Sequence, residues 1–187
     1  MICIISLRED IRLVQMDDKI GVFSRPKGKI GFTSIDNILE LDDKLIENAA
    51  LTDMVGVDGY GGMNQCYYLD SGYIGTIGHA VYSEKNSNNQ TERIYVVIAS
   101  VFNPKTNCTL MQKIIATRSC FPKKDYYKMG WDGIPIRDVA FPSGIVFRND
   151  GKVDLYSGIS DAMQGRITID NPFEGYGKPK YCDNFKI

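Results

Sequence analysis

The run Gly144-Ile145-Val146-Phe147, then Arg148-Asn149-Asp150-Gly151-Lys152, then Val153-Asp154-Leu155-Tyr156 decides how this chain is read. Two short apolar segments rich in β-branched and aromatic residues flank a polar turn. Asn-Asp-Gly supplies residues that tolerate the positive φ of hairpin turns, so the stretch reads as a β-hairpin. The same design recurs upstream. Ile11-Arg12-Leu13-Val14 and Ile20-Gly21-Val22-Phe23 flank Asp17-Asp18-Lys19. Gln65-Cys66-Tyr67-Tyr68 and Ile74-Gly75-Thr76-Ile77 flank Asp70-Ser71-Gly72. Tyr95-Val96-Val97-Ile98 and Lys113-Ile114-Ile115-Ala116 enclose a loop around Asn103-Pro104.

Some of the second strands run into polar tails bearing Gly or Pro: Ser24-Arg25-Pro26, Gly78-His79-Ala80 and Gly158-Ile159-Ser160-Asp161. A repeated unit of strand, turn, strand and polar tail predicts propeller blades, whose strand ends gather around an axis. The fold class is therefore all-β. One short decorating helix is expected over Asp36 to Ala50, with Asp36 as its cap and Leu39, Leu45, Ile46 and Ala49 sharing a face. Asn86 to Glu92 reads as a polar loop. Residues 172–187 read as an irregular, Gly- and Pro-bearing tail to a single domain spanning 1–187.

Composition fits this reading. Eleven Tyr, eight Phe and 18 Gly in 187 residues suit pleated faces joined by tight turns. A net charge of −1 offers no long-range attraction to nucleic acid or anionic lipid, so a bound anion needs a local cation cluster. Cys3, Cys66, Cys108, Cys120 and Cys182 are scattered, odd in number and form no CxxC. That spacing predicts reduced thiols in a cytoplasmic protein rather than a disulfide framework or zinc site. With a single histidine, no metal-ligand pattern emerges. The apolar start Met1 to Ile5 is too short for a signal-peptide core or a membrane span.

At several points the chain resembles a known group. Asp10-Ile11-Arg12-Leu13, Val22-Phe23-Ser24-Arg25-Pro26 and Gly61-Gly62-Met63-Asn64 are similar to segments of the bacterial and Leishmania mannosyltransferase/phosphorylase propellers. So are Gly75-Thr76-Ile77-Gly78-His79, the run from Asp138 to Gly144, and the run from Leu155 to Ala162. The pieces occur in order from Asp10 to Phe173. Those five-bladed propellers are similar in turn to the inverting β-mannoside phosphorylases of glycoside hydrolase family 130. The resemblance implies a five-bladed propeller type of which this chain carries about three blades, with about two more preceding Asp10 in the longer relatives. It also implies phosphate as co-substrate, no organic cofactor, and an oligosaccharide or sugar phosphate as partner. In the related phosphorylases the general acid lies in an Asp-Pro motif; this chain has none, and Asn103-Pro104 and Asn171-Pro172 are the nearest dipeptides.

The chemistry then singles out residues. Phosphorolysis aims desolvated phosphate at an anomeric carbon, which favours an Arg fork and a His donor. Arg25 precedes Pro26, which biases it toward extended backbone; the resemblance assigns it to phosphate, against a surface ion pair. His79 follows a Gly, where backbone can approach a ligand closely; the resemblance again assigns it to phosphate, against a structural histidine. Asp161 is a sugar-side residue by resemblance or a turn residue bonded to its own backbone. Asp10 and Arg12 alternate on one strand and face one side, as an ion pair or a clamp on sugar hydroxyls. Asn64, after Gly61-Gly62, is placed to bond a sugar, and Asp138 either orients the site or begins a strand. Trp131 and Arg118 are weaker candidates for sugar stacking and for a further cation.

Three functions compete on these residues. The first is an inverting β-mannoside phosphorylase or mannosyltransferase-like protein, completed by further blades, a second copy or another chain. The second is an inverting glycosidase, with Asp10 and Asp161 as its carboxylate pair. The third is a non-catalytic carbohydrate-binding or assembly module without a general acid.

Overall fold

The computed structural model describes residues 11–54, 61–122, 128–129 and 133–180. Among them the chain is built of strands arranged in two sheets. The first has the order β1-β2-β3-β4: β1 (Arg12–Gln15), β2 (Ile20–Ser24), β3 (Gly31–Ile35) and β4 (Ala50–Leu51). The second contains β5 (Gly61–Tyr68), β6 (Ile74–Lys85), β7 (Thr91–Asn103) and β8 (Cys108–Ala116). It continues through β9 (Lys128–Met129), β10 (Pro135–Phe147), β11 (Lys152–Ile159) and β12 (Met163–Asp170). All four predicted hairpins are present as β1–β2, β5–β6, β7–β8 and β10–β11, each antiparallel. Among the described residues neither sheet closes on itself. The all-β class holds, and the arrangement is consistent with a propeller-like fold.

Turn chemistry fixes the hairpins. In the β10–β11 turn only Gly151 takes positive φ, at 81°, while Arg148 exchanges bonds with Lys152 and Gly151. Between β11 and β12, Ser160 and Asp161 both stand in the left-handed region, at φ 52° and 51°, and Ala162 N–H donates to Ile159 O at 3.1 Å.

The second sheet is a pair of antiparallel units joined by a parallel seam. Ile136, Asp138 and Val139 of β10 run parallel to Arg93, Ile94 and Tyr95 of β7. Beyond the seam β10 leaves β7 and pairs with β11 from Ala140 to Phe147. One core fills the space between the units: Ile77, Val97, Ala99 and Val101 against Ala140, Ile145, Val153, Leu155 and Ile159, with Phe173 of the tail. A second core joins the first sheet to the same β5–β7 unit through Phe23, Phe32, Met63, Ile74 and Phe102. There Phe23, Phe32 and Phe102 meet pairwise with centroids 4.8–5.3 Å apart, in tilted and edge-on geometry.

The helix is shorter than expected. Ile38–Glu40 forms a 3-10 turn and Asp43–Glu47 the single helix described, α1. The caps are Asn37 and Asp42, not Asp36: Asn37 Oδ1 accepts from Leu39 N–H at 2.9 Å and Asp42 Oδ1 from Leu45 N–H at 2.7 Å. Two short polar side chains that bond backbone locally restart the turn instead of extending it. Leu39 consequently points to solvent, 69% exposed, while Ile46 and Ala49 are buried.

Residues Asn171 to Lys180 are irregular apart from one antiparallel bridge, Leu69 to Pro179. They are nonetheless tied down. Asp70 Oδ1 accepts from Lys178 N–H at 2.9 Å, and Lys180 Nζ donates to Asp17 Oδ1 at 2.7 Å while lying over the Tyr68 ring. No described helix is long and apolar enough to cross a membrane.

Candidate functional site

The site grows from a bulge. Met63 opposes Gly78 and Gln65 opposes Ile77, so Asn64 is an extra residue in β5 with no partner on β6. A bulge of this kind re-aims a side chain, and here Asn64 Oδ1 lies 3.0 Å from His79 Nδ1. From the other sheet, Arg12 Nε donates to the main-chain oxygen of Asn64 at 2.9 Å, and its Nη1 to Ile11 O at 2.8 Å. Arg12, Asn64 and His79 therefore form one hydrogen-bonded chain that spans both sheets.

His79 is 7% exposed. Its ring packs against Phe141 of β10, centroids 4.3 Å apart, and lies near-parallel to Tyr95 of β7 at 6.2 Å. The expected tail Gly78-His79-Ala80 is mid-strand instead, because β6 continues to Lys85. Gly78 still serves a close approach, to protein rather than to ligand: a Cβ there would collide with the Gly62 carbonyl of β5. Ser83-Glu84-Lys85 is a polar strand end, exposed in sequence and in space, which disguises the length of β6. Likewise the loop expected over Asn86 to Glu92 is confined to 86–90, since β7 starts at Thr91.

Arg25 is half-buried between β2 and a 3-10 turn that begins at Pro26. Its φ of −123° is extended but its ψ of 64° is not, so Pro26 imposes less than the full extended bias. Gly31, opposite Ser24, is where the Pro26 ring seats: a Cβ on Gly31 would stand 2.8 Å from Pro26 Cγ. Asp138 is half-buried in the parallel seam, in register with Ile94. Asp161 sits exposed on the β11–β12 turn in the left-handed conformation. Arg25, Asp138 and Asp161 are each engaged by neighbouring groups. Asp10 and Trp131 lie outside the described residues.

Arg118 is less a free cation than a brace. Only 8% exposed, it donates from Nε to Ser160 Oγ at 3.0 Å and from Nη1 to Pro122 O at 3.0 Å, which fixes the turn that carries Asp161. Sequence reasoning missed Tyr95 and Phe141 as walls of the His79 site. Their alternation on strands was legible, but the parallel seam that brings β10 beside β7 has no turn to announce it. The described residues hold no group of three or more His, Cys, Asp or Glu side chains arranged to take a metal ion.

The comparisons with known proteins follow from this architecture. Residues 6–175 match the family described as "Protein of unknown function (DUF1861)", and the chain belongs to that family. It is similar to MPT-1, a GDP-Man-dependent mannosyltransferase from Leishmania mexicana, at 40% identity and a TM-score of 0.80, over 92% of this chain and 54% of that one. It is similar to MPT-4, a mannose phosphorylase from Leishmania mexicana solved with a phosphate ion, at 39% identity and a TM-score of 0.83, over 96% and 57% respectively. A hypothetical protein from Leishmania major aligns at 42% identity, with a TM-score of 0.79, over 93% and 55%. The chain thus spans a little over half the length of these structures. No curated protein matches it.

Proposed function

We propose that this chain contributes the phosphate- and sugar-binding part of a mannoside-active enzyme of the phosphorylase or mannosyltransferase type. The observation that carries the reading is the Arg12–Asn64–His79 chain, which unites residues singled out by their chemistry. It occurs in a protein about 40% identical to a mannosyltransferase and a mannose phosphorylase. Arg25 and His79 hold phosphate, and Asp10, Arg12, Asn64, Asp138 and Asp161 line the sugar side. The reaction inverts at the anomeric carbon, at the axis of a five-bladed ring completed by further blades, a second copy or another chain. Phosphate is co-substrate and no organic cofactor takes part. Free, exposed Cys108 and Cys120 suit a reducing, cytoplasmic setting.

A phosphorolytic enzyme turns a β-manno-oligosaccharide and inorganic phosphate into mannose 1-phosphate. Detection of that product by chromatography supports the proposal; hydrolysis to free mannose without phosphate uptake replaces it with a glycosidase. The absence of any Asp-Pro dipeptide favours one second reading, a carbohydrate-binding module without an acid of its own. Calorimetry separates the two, since a module binds oligosaccharide with or without phosphate and turns nothing over.

A further inference from the structure

The described strands form two antiparallel units of four, β1–β4 and β5–β8, and a third of three, β10–β12. The third unit ends at β12, which pairs with β11 on one side and with no described strand on the other. The chain does not fill that edge itself: after Asp170 it buries Phe173 in the core and reaches Leu69 through Pro179. Edge strands are ordinarily blunted by shortness, bulges or lysine. Among the described edges, β1, β4 and β9 have four residues or fewer, β5 is bulged at Asn64, and β8 carries Lys113 and two register shifts. β12 has none of these guards. Its eight residues pair with β11 without a register shift, and its inner-face side chains Met163, Ile167 and Ile169 are only half-buried against the core.

We propose that β12 is the edge on which a second copy of this chain docks, antiparallel, with Thr168 opposite Thr168 of the second copy on a two-fold axis. Charge complementarity selects both the occupant and the register. With Thr168 on the axis, Arg166 of each copy faces Asp170 of the other on the outer face, and Ile167 faces Ile169 on the inner face. A register centred on Arg166 would oppose two arginines, and one centred on Ile167 would set Arg166 against Thr168 and Asp170 against Gln164. Arg166 stands 3.9 Å from Asp154, and Asp170 3.4 Å from Lys152, yet both side chains remain largely exposed and open to a further partner. The pairing gives the third unit its fourth strand and covers Ile167 and Ile169. One strand pair is small for a stable complex, so the association is concentration-dependent. It rests on the open edge and not on the function proposed above.

Sedimentation velocity on the full chain over a range of concentrations is expected to show a monomer–dimer equilibrium. Arg166→Asp and Asp170→Lys each place like charges opposite one another at both ends of the paired segment. Either variant alone should dimerise about tenfold or more less tightly than the wild type. Mixed together, the two variants restore opposite charges at both positions, so the mixture should associate as a heterodimer with near wild-type affinity. A wild-type chain that stays monomeric overturns the proposal, as does a variant that dimerises like the wild type. So does a mixture that fails to associate while circular dichroism shows both variants folded. If either variant loses its fold, Thr168→Cys decides instead, because residues opposite one another in antiparallel strands lie about 4.5–5.5 Å apart at Cα, within disulfide reach. Mild oxidation is then expected to give a covalent dimer whose cross-link peptide mass spectrometry assigns to position 168 of both copies. Cross-links confined to the exposed Cys108 or Cys120, or none, overturn the proposal.

Discussion

The Tyr67 hydroxyl bridges both main-chain groups of Ile145, accepting from its N–H at 2.8 Å and lying 3.0 Å from its carbonyl oxygen. Tyr67 is on β5 and Ile145 on β10, so one phenol joins the two antiparallel units of the larger sheet. It does so where the ladder is irregular, because the β10–β11 register shifts between Pro142 and Gly144. Ile145 is buried, and without the hydroxyl its N–H loses this partner. Tyr67→Phe should destabilise the fold by about 1–3 kcal/mol, the usual cost of stranding a buried polar group. Thermal denaturation checks this, and the expected change is a fall in Tm of several degrees.

Gly78 makes a second prediction. The Gly62 carbonyl occupies the space where a Cβ would go, and a backbone atom in a ladder cannot swing aside as a side chain can. Gly78→Ala should therefore separate β5 from β6 beside the Asn64 bulge, at a cost of about 1–3 kcal/mol. Chemical denaturation gives the stability change. A change in the NMR signals of His79, the chain's one histidine, in the same variant would show that the ladder helps to hold the His79–Asn64 pair.

Acid sensitivity should be traceable to Asp53. Its Oδ1 accepts from Thr109 Oγ1 at 2.6 Å and from Thr109 N–H at 2.7 Å, clasping the first sheet to β8. The Thr109 hydroxyl first, and its amide second, hold the Asp53 carboxyl below its usual 3.8. A carboxylate depressed in the folded state adds stability above its unfolded pKa, and that stability is lost as pH falls through the folded value. Thr109→Val should therefore lower Tm most above 3.8. The gap to wild type should close as acid is added, in melts recorded from about pH 6 to about pH 2.

The cysteines divide by environment. Cys66 packs against the Phe23–Phe102 core, and burial pushes its thiol up to about 12, against the opposing pull of Arg12. It stays protonated at neutral pH, whereas Cys108 and Cys120 are exposed. Limited alkylation followed by peptide mass spectrometry should modify Cys108 and Cys120 well before Cys66. Early labelling of Cys66 would mean that the core between the sheets opens readily.

How much of this was legible depended on whether the signal was local. Hairpins announce themselves by a turn between alternating runs, and Asp70-Ser71-Gly72 or Asn149-Asp150-Gly151 marked theirs. β12 was not read as a strand, although Met163, Gly165, Ile167 and Ile169 alternate with exposed Gln164, Arg166, Thr168 and Asp170. The parallel seam between β7 and β10 was not legible, because its strands are joined through a long connection without a short turn. His79 and Arg12 were identified by residue type and order, but their link through Asn64 depends on a one-residue bulge that no local pattern encodes. The helix over Asp36 to Ala50 was over-read, as apolar spacing outweighed the two internal caps at Asn37 and Asp42.

The central claim is that His79 and Arg25 bind the phosphate of a sugar phosphate, and calorimetric titration with mannose 1-phosphate tests it most directly. The account predicts saturable binding by the wild-type chain, weakened roughly tenfold to a hundredfold in both His79→Ala and Arg25→Lys. That range follows from losing one hydrogen bond to a charged group, worth about 1.5–3 kcal/mol: the His79 bond in one variant, and one arm of the guanidinium fork in the other. Absence of binding, or equal affinity in the wild type and both variants, would contradict it.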